Sequence, residues 1–268
     1  MMSVITARKG SAERWGPLWG KRPGDWAQCE ERQAPAYEEV MRRIPVQAGQ
    51  RVLDIGCGTG TFLRLVADRG GHAHGIDASE ELLELARARV PAAELRVGDM
   101  QFLPYADDSF DLVTGFTSFF YADDMVEAIR EAGRVARPGA PVVIEVWGRP
   151  EHDDLEAMKA VIRPFLPSRP PDAPEPPALW QPGVLEQIAA AAGLRPRSAF
   201  DFRFATEYPD PQTLGRLMMA PAGIATLVGP EREASVRAQI VDALAPYRTA
   251  RGGYRLQNEF RYLIADAV

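Results

Sequence analysis

Between the apolar run RVLDI (51–55) and the helical pattern TFLRLVADRG (61–70), the chain carries Asp54-Ile55-Gly56-Cys57-Gly58-Thr59-Gly60. Glycines at alternate positions let a backbone turn tightly and approach a ligand with no Cβ in the way. A glycine-rich turn without a ligand is the plainer alternative. The spacing G-x-G-x-G brings the third glycine one residue earlier than in a dinucleotide fingerprint, which weighs against a pyrophosphate. Asp77 closes HAHGID (72–77), about 20 residues past the glycines, where a carboxylate can accept both ribose hydroxyls of an adenosine and repels a 2′-phosphate. Alone, such an aspartate is as often a cap or turn former. Gly98-Asp99-Met100 ends the next run. There a carboxylate can take the exocyclic amine of adenine, a backbone N–H a ring nitrogen, and the methionine the ring face. Asp54, Asp77 and Asp99 recur at or near the ends of three successive apolar runs, and coincidence is a poor account of that.

Those runs read as strands, joined by ELRVGD (94–99), FDLVTGF (110–116) and PVVIEVW (141–147). Helical patterns lie between them. Residues 79–90 have Ser79 as N-cap, Glu80 and Glu81 in the first turn, and Leu82, Leu85 and Arg89 along one face. Residues 123–136 carry Met125, Ile129, Ala132 and Ala136 at helical spacing and stop at Pro138-Gly139. Strand and helix alternating over about a hundred residues predict parallel strands with right-handed crossovers, a doubly wound α/β sheet. Ligands of such sheets sit outside the carboxyl ends of the strands.

The flanks differ in texture. Residues 1–44 are polar and carry Trp15, Trp19 and Trp26 before PAYEEVMRRIP, a helix ending ahead of Pro45. After Gly148, residues 151–166 read as one helix. Pro167, Pro170, Pro171, Pro174, Pro176, Pro177 and Pro182 then predict a stiff extended connection. A helix over 182–193, a strand over 198–205, a helical stretch over 210–247 and an apolar strand over 260–268 complete the chain. There is no internal repeat.

With 268 residues, 46% of them hydrophobic and 25% charged, the composition is that of a globular protein long enough for a sizeable core. The motifs divide it as one elaborated domain: an amino-terminal helical cap (1–44), a ligand-binding core (45–148), and a sheet completion (149–268) with a helical insertion at about 207–250. Thirty-one basic against 37 acidic residues give a net charge of −6, against a phosphate-tracking surface. Cys29 and Cys57 alone make neither a disulfide framework nor a four-ligand zinc site, so no metal is expected. The start lacks the apolar core of a signal peptide and no run reaches the roughly 18 apolar residues of a membrane span. The expectation is a soluble, cytoplasmic protein.

VLDIGCGTG, GIDAS, VGDMQFLPYADDSFDLV and EAGRVARPGAPVVIEVWG resemble the motifs of class I S-adenosylmethionine-dependent methyltransferases, most closely the small-molecule branch that includes ubiquinone/menaquinone-biosynthesis-like enzymes. The resemblance covers about residues 50–148. It implies a Rossmann-like seven-stranded sheet whose last strand, 260–268, inserts antiparallel beside the fifth. It implies S-adenosyl-L-methionine as cofactor, with Asp54, Gly56, Gly58 and Gly60 around its methionine part. Asp77 then takes the ribose, Asp99 and Met100 hold the adenine, and the Phe116 backbone lies near the methionine amino group.

A sulfonium carries its own leaving group, so methyl transfer to an O, N or C atom is an in-line displacement. Positioning alone can be worth about 7–11 kcal/mol. A general base is needed only for an acceptor that is protonated at working pH. His152, beyond the fifth strand, is a candidate, although a histidine there is more often a surface residue. Tyr121 and Asp123 either contact the acceptor or cap the next helix; His72 and His74 read as structural. TGFTSFFYADD lacks the [DN]-P-P-[YF] motif of base amino-methyltransferases, no Pro-Cys pair is present, and two cysteines fall short of arsenite methyltransferases. The expected partner is therefore a small, apolar or aromatic acceptor, with no nucleic acid, the protein being a monomer or homodimer. Trp15, Trp19, Trp26 and Tyr37 either fold over the cofactor mouth or glue a helix to the core. Leu214, Leu217, Met218, Met219, Ile224 and Leu227 either line the acceptor site or are plain core. The competing readings are a nicotinamide-dependent oxidoreductase and a non-catalytic S-adenosylmethionine-binding protein.

Overall fold

The computed structural model describes residues 10–166 and 175–268. Three helices open it, α1 (Ala12–Trp19), α2 (Pro23–Glu31) and α3 (Ala34–Arg43). Then come β1 (Arg51–Ile55), α4 (Thr61–Asp68), β2 (His72–Asp77), α5 (Glu80–Arg89), β3 (Glu94–Val97), β4 (Leu112–Phe116), α6 (Met125–Val135) and β5 (Pro141–Trp147). The remainder holds α7 (Glu156–Ile162), α8 (Val184–Ala191), β6 (Arg195–Tyr208), α9 (Pro211–Leu217), α10 (Ile224–Val228), α11 (Pro230–Ala243) and β7 (Tyr254–Asp266).

The seven strands form one sheet in the order β3-β2-β1-β4-β5-β7-β6. β1 to β5 pair parallel, while β7 runs antiparallel between β5 and β6. From β1 the chain walks out to β3, then returns to the other side at β4. The switch point thus lies between the ends of β1 and β4, where Ile55 and Phe116 hand over to loops.

Period-two alternation sends the strand residues to two cores. Val52, Leu112, Val143 and Tyr262 pack under α3, α4 and α5. Leu53, Val113, Ile144 and Leu263 pack under α6 and α8. These residues are fully or nearly fully buried, each contributing roughly 1.5–3 kcal/mol for a large aliphatic side chain. Ser79 caps α5 as its type predicts, its Oγ accepting from Leu82 N at 3.3 Å.

Three expectations are corrected. The helix over 151–166 is interrupted: α7 is flanked by short 3-10 turns at Pro150–His152 and Arg163–Phe165, and Pro164 forbids a longer α-helix there. The stretch 210–247 is likewise cut into α9, α10 and α11, broken at Pro221, at Gly229 and at Pro230. The last two strands are longer than their apolar cores, pairing as a ribbon from Arg195↔Asp266 to Tyr208↔Tyr254. That length matters, because β5 pairs with β7 only as far as Trp147↔Phe260. The rest of the ribbon runs on past the carboxyl ends of the parallel strands and carries α9–α11 there. Pro167, Pro170, Pro171 and Pro174 lie outside the described residues.

Candidate active site

Gly56 (φ 76°) and Gly58 (φ 53°) follow β1 in the left-handed region. A Cβ on Gly56 would stand 2.5 Å from Ser118 Cβ, and one on Gly58 2.5 Å from Glu30 Oε2. Conformation and space both demand glycine. The loop is tied to β2: Gly56 N and Cys57 N donate to Ile76 O at 2.8 and 3.1 Å. Asp77 accepts from Gly58 N and Ser79 N, each at 2.9 Å. Burial pushes its carboxyl up to about 6, against the pull of those two N–H groups.

Gly60 (φ 80°) heads α4 without a side chain to cap it. The cap comes from α2. Glu30 accepts from Thr59 N (2.7 Å), Thr59 Oγ1 (2.9 Å) and Thr61 N (2.8 Å). This buried carboxylate is the residue that sequence reading missed, since a glutamate in an amino-terminal helix carries no motif.

A cavity of about 640 Å³ opens over this loop. Gly56, Gly58, Asp77, Asp99, Met100 and Phe116 line it, and Trp15 and Trp19 of α1 cover it with Trp26 of α2. Asp54 and Gly60 stand behind the lining. Asp54 is buried beneath the sheet end, where Thr114 Oγ1 donates to its Oδ1 at 2.7 Å and burial pushes it up to about 8. Asp99 accepts from Ala12 N at 2.7 Å, Ser11 Oγ at 3.2 Å and Gln101 N at 2.8 Å, so it also anchors the start of α1. The indole N–H of Trp15 is buried and has no hydrogen-bond partner among the described residues, an open donor at the cavity wall.

A second, larger cavity of about 1180 Å³ adjoins the first. Met158 and Ile162 of α7, Met218, Ile224 of α10, Phe204 and Phe260 make most of its apolar wall. Among the described residues, four border both cavities: Trp19, Trp26, Thr117 and Tyr121.

The family described as a methyltransferase domain matches residues 53–144. The malonyl-[acyl-carrier protein] O-methyltransferase of Dechloromonas aromatica is 31% identical over 222 residues, covering 76% of this chain and 79% of that protein. This chain belongs to the S-adenosylmethionine-dependent methyltransferase family. The demethylmenaquinone methyltransferase of Halalkalibacterium halodurans is 36% identical over 114 residues, 40% of this chain and 46% of that protein, so the match spans about half of that relative. The resemblance to the small-molecule, menaquinone-type branch is thereby supported. The crystal structure of the [4+2]-cyclase SpnF superposes with a TM-score of 0.56 at 22% identity, over 87% of this chain and 80% of that one, and shows the same fold.

In this chain the other candidates fall in different places. Tyr121 edges against Trp15 and Trp19, with ring centroids at 4.7 and 5.6 Å. Desolvation raises its phenol well above the ordinary range. His152 lies outside the lining of both cavities, its Nδ1 2.8 Å from Glu259 Oε2. Strand alternation explains this: Asn258 and Phe260 face the second cavity, and Glu259 between them faces away. Asp123 is engaged by Arg14 Nη2 at 2.7 Å. His74 is buried in β2 against Phe110, as a structural histidine would be. Tyr37 packs on Phe62 and Phe116 in the core, while Trp15, Trp19 and Trp26 face the cavities. Leu214, Leu217 and Met219 are fully buried core and Leu227 is half-buried, leaving Met218 and Ile224 at the second cavity.

Thr117 holds φ 45°, a strained conformation for a β-branched residue that costs about 1–3 kcal/mol. Its N–H donates to Glu145 O at 3.2 Å, while the next residue's Ser118 Oγ donates to Ile55 O at 2.7 Å. The turn is thereby clamped to the ends of β1 and β5. Thr117→Gly is expected to keep or raise thermal stability, by up to about 2 kcal/mol, although glycine in a regular strand costs roughly 0.5–1 kcal/mol. A melting curve checks the sign.

Among the described residues no group of acids, histidines and cysteines is placed to hold a metal. None of the described helices is long and apolar enough to cross a membrane.

Proposed function

We propose that this protein transfers the methyl group of S-adenosylmethionine to a small apolar or aromatic acceptor. The observation that carries the reading is the pair of adjoining cavities, one with adenosine-binding chemistry and one apolar, sharing only a narrow set of wall residues. The first cavity fits the cofactor: a glycine cradle that a Cβ would fill, a buried carboxylate at the ribose position, and an acid beside a thioether for the base. Gly56, Gly58 and the Phe116 backbone would hold the methionine part, with Asp54 and Gly60 supporting that loop from behind. Asp77 would hold the ribose, and Asp99 and Met100 the adenine. When bound, the cofactor supplies an activated methyl group with its own leaving group.

The protein's part is then positional. The apolar wall around Met158, Ile162 and Phe260 desolvates the acceptor and holds its nucleophilic atom in line. Tyr121, kept protonated by burial, donates a hydrogen bond at the boundary and does not serve as a base. His152, turned away with Glu259, enters no step of this mechanism.

Met158→Trp is expected to fill the acceptor cavity. Transfer of a labelled methyl group to any acceptor found in a screen of apolar compounds should fall about tenfold or more, roughly 1.4 kcal/mol. Affinity for S-adenosylhomocysteine should stay within about twofold. A thermal shift with NAD but none with S-adenosylhomocysteine overturns the reading in favour of an oxidoreductase.

A further inference from the structure

Among the described residues, the strand wall of the second cavity is aromatic except at two deeply buried positions. Asn258 of β7 is 2% exposed and Thr206 of β6 is 6% exposed, and both line the cavity. Strand alternation puts Phe204, Thr206 and Tyr208 on one face of β6, and Asn258 and Phe260 on the same face of β7. Phe204 pairs with Asn258 and Thr206 with Leu256, so Asn258 and Thr206 are diagonal neighbours.

Asn258 Nδ2 donates to Thr206 Oγ1 at 3.1 Å and to Leu256 O at 3.4 Å. A backbone carbonyl only accepts, which fixes the end of the amide that is nitrogen. Both amide hydrogens are thereby placed. The carbonyl Oδ1 has no partner among the described residues, and it is not one of the side-chain oxygens sealed from solvent. A reachable amide oxygen, on a residue otherwise buried at a cavity, is an open acceptor for whatever fills that cavity.

The fold does not require this polar pair. The ribbon is held by its own backbone pairing from Arg195↔Asp266 to Tyr208↔Tyr254. Valine and leucine would fill the volumes of Thr206 and Asn258 without burying polar groups. The polar row is also uncharged, since burial raises the Tyr208 phenol well above its ordinary range and keeps it protonated. Lys159, the charged side chain among the described lining residues, is held 2.7 Å from both Asp153 and Glu156. A group offered to Asn258 Oδ1 must bring a hydrogen, and a neutral hydroxyl does so without carrying a charge out of water. A hydroxyl also takes a hydrogen bond as it gives one, matching an open acceptor in the same row as a protonated phenol.

We propose that Asn258 Oδ1, positioned by Thr206, sets the specificity of the acceptor cavity by selecting an uncharged, apolar acceptor that carries a hydroxyl. The inference rests on the methyl-transfer reading above and deepens it by naming the acceptor class. Neither Asn258 nor Thr206 lines the first cavity. The hydroxyl they hold is therefore the acceptor's anchor and not the atom that takes the methyl group.

Titration calorimetry of the full chain with 2-naphthol, naphthalene and 2-naphthoate, each with and without S-adenosylhomocysteine, tests this. In Asn258→Leu the affinity for 2-naphthol relative to naphthalene should fall about 2–10-fold, the worth of one neutral hydrogen bond. The fall should come from weaker 2-naphthol binding, with naphthalene held as tightly as before or more so. Thr206→Val should lower the ratio in the same direction, and it reads the same contact should Asn258→Leu fold poorly. Because the readout is a ratio of two affinities on one sample, an unfolded fraction cancels. A ratio that both variants leave unchanged makes the pair structural and overturns the proposal. So does a wild type that binds neither neutral probe, or one that prefers 2-naphthoate, which gives recognition to Lys159. An Asn258-dependent preference for 2-naphthol in a protein that does not bind S-adenosylhomocysteine overturns the methyl-transfer reading and leaves the cavity's selectivity standing.

Discussion

Glu30→Ala is expected to destabilise the protein by about 3–5 kcal/mol, lowering the melting temperature by about 10 °C or more. The carboxylate is 3% exposed and accepts three hydrogen bonds, from Thr59 N, Thr59 Oγ1 and Thr61 N. Each buried donor left without a partner costs about 1–3 kcal/mol. The donors are also the exposed amide end of α4, so the lost charge is one that the helix dipole favours. Arg89 shares the cluster, its Nη1 donating to Thr59 O at 2.9 Å and lying 4.0 Å from Glu30 Oε1. With Glu30 gone, this guanidinium loses a compensating charge as well. Because the same side chain ties α2 to the glycine loop, cofactor affinity should fall with stability. Glu30→Gln keeps an acceptor but sets its NH₂ against one of the N–H groups, and should lie between. Thermal melts with and without S-adenosylhomocysteine decide; an alanine variant that melts with the wild type refutes the capping role.

For Asp77→Asn the expectation is a 10–150-fold weaker affinity for S-adenosylhomocysteine at pH 8. Losing a charge-assisted hydrogen bond costs about 1.5–3 kcal/mol. The pH dependence is the sharper signature. Burial raises the carboxyl of the free protein to about 6. The ribose hydroxyls are donors and favour the ionised form, so binding pulls the pKa down and releases a proton. Affinity therefore levels off above pH 6 and declines below it, approaching tenfold per pH unit until the bound form also protonates. The asparagine variant has no such proton and should be flat between pH 5 and 8. Titration calorimetry across that range tests both limbs, and a flat wild-type profile rejects the ribose assignment.

Much of this site was legible along the chain because its chemistry is local. The glycines that turn β1 into α4, the acid closing β2 and the acid and methionine after β3 each sit next to the strand that delivers them. A strand end is a place that period and punctuation reveal. Five of those residues, together with Phe116 at the end of β4, line one cavity. Asp54 and Gly60 do not: Asp54 is buried against Thr114, and Gly60 is backed by Ala86 of α5.

What only the tertiary structure decided is how the flanks meet that loop. Glu30 lies 29 residues before Thr59 and Ser11 lies 88 before Asp99, and no periodicity records such a contact. His152 pointed the other way: next to the fifth strand in sequence, it is turned outward by the alternation of β7, an element over a hundred residues later. The Met-rich segment was ambiguous for the same reason. Leu217 and Met218 are neighbours in the chain, yet only Met218 reaches the cavity. Which side of a helix meets a core and which meets a void depends on the partner packed against it, and that partner is set by the long β6–β7 ribbon carrying the helices over the strand ends. The chain's own order of residues determined the fold and the cofactor's chemistry, since both follow from local period and strand ends. The aromatic wall between the two cavities and the apolar cavity itself, assembled from distant segments, were decided by packing alone.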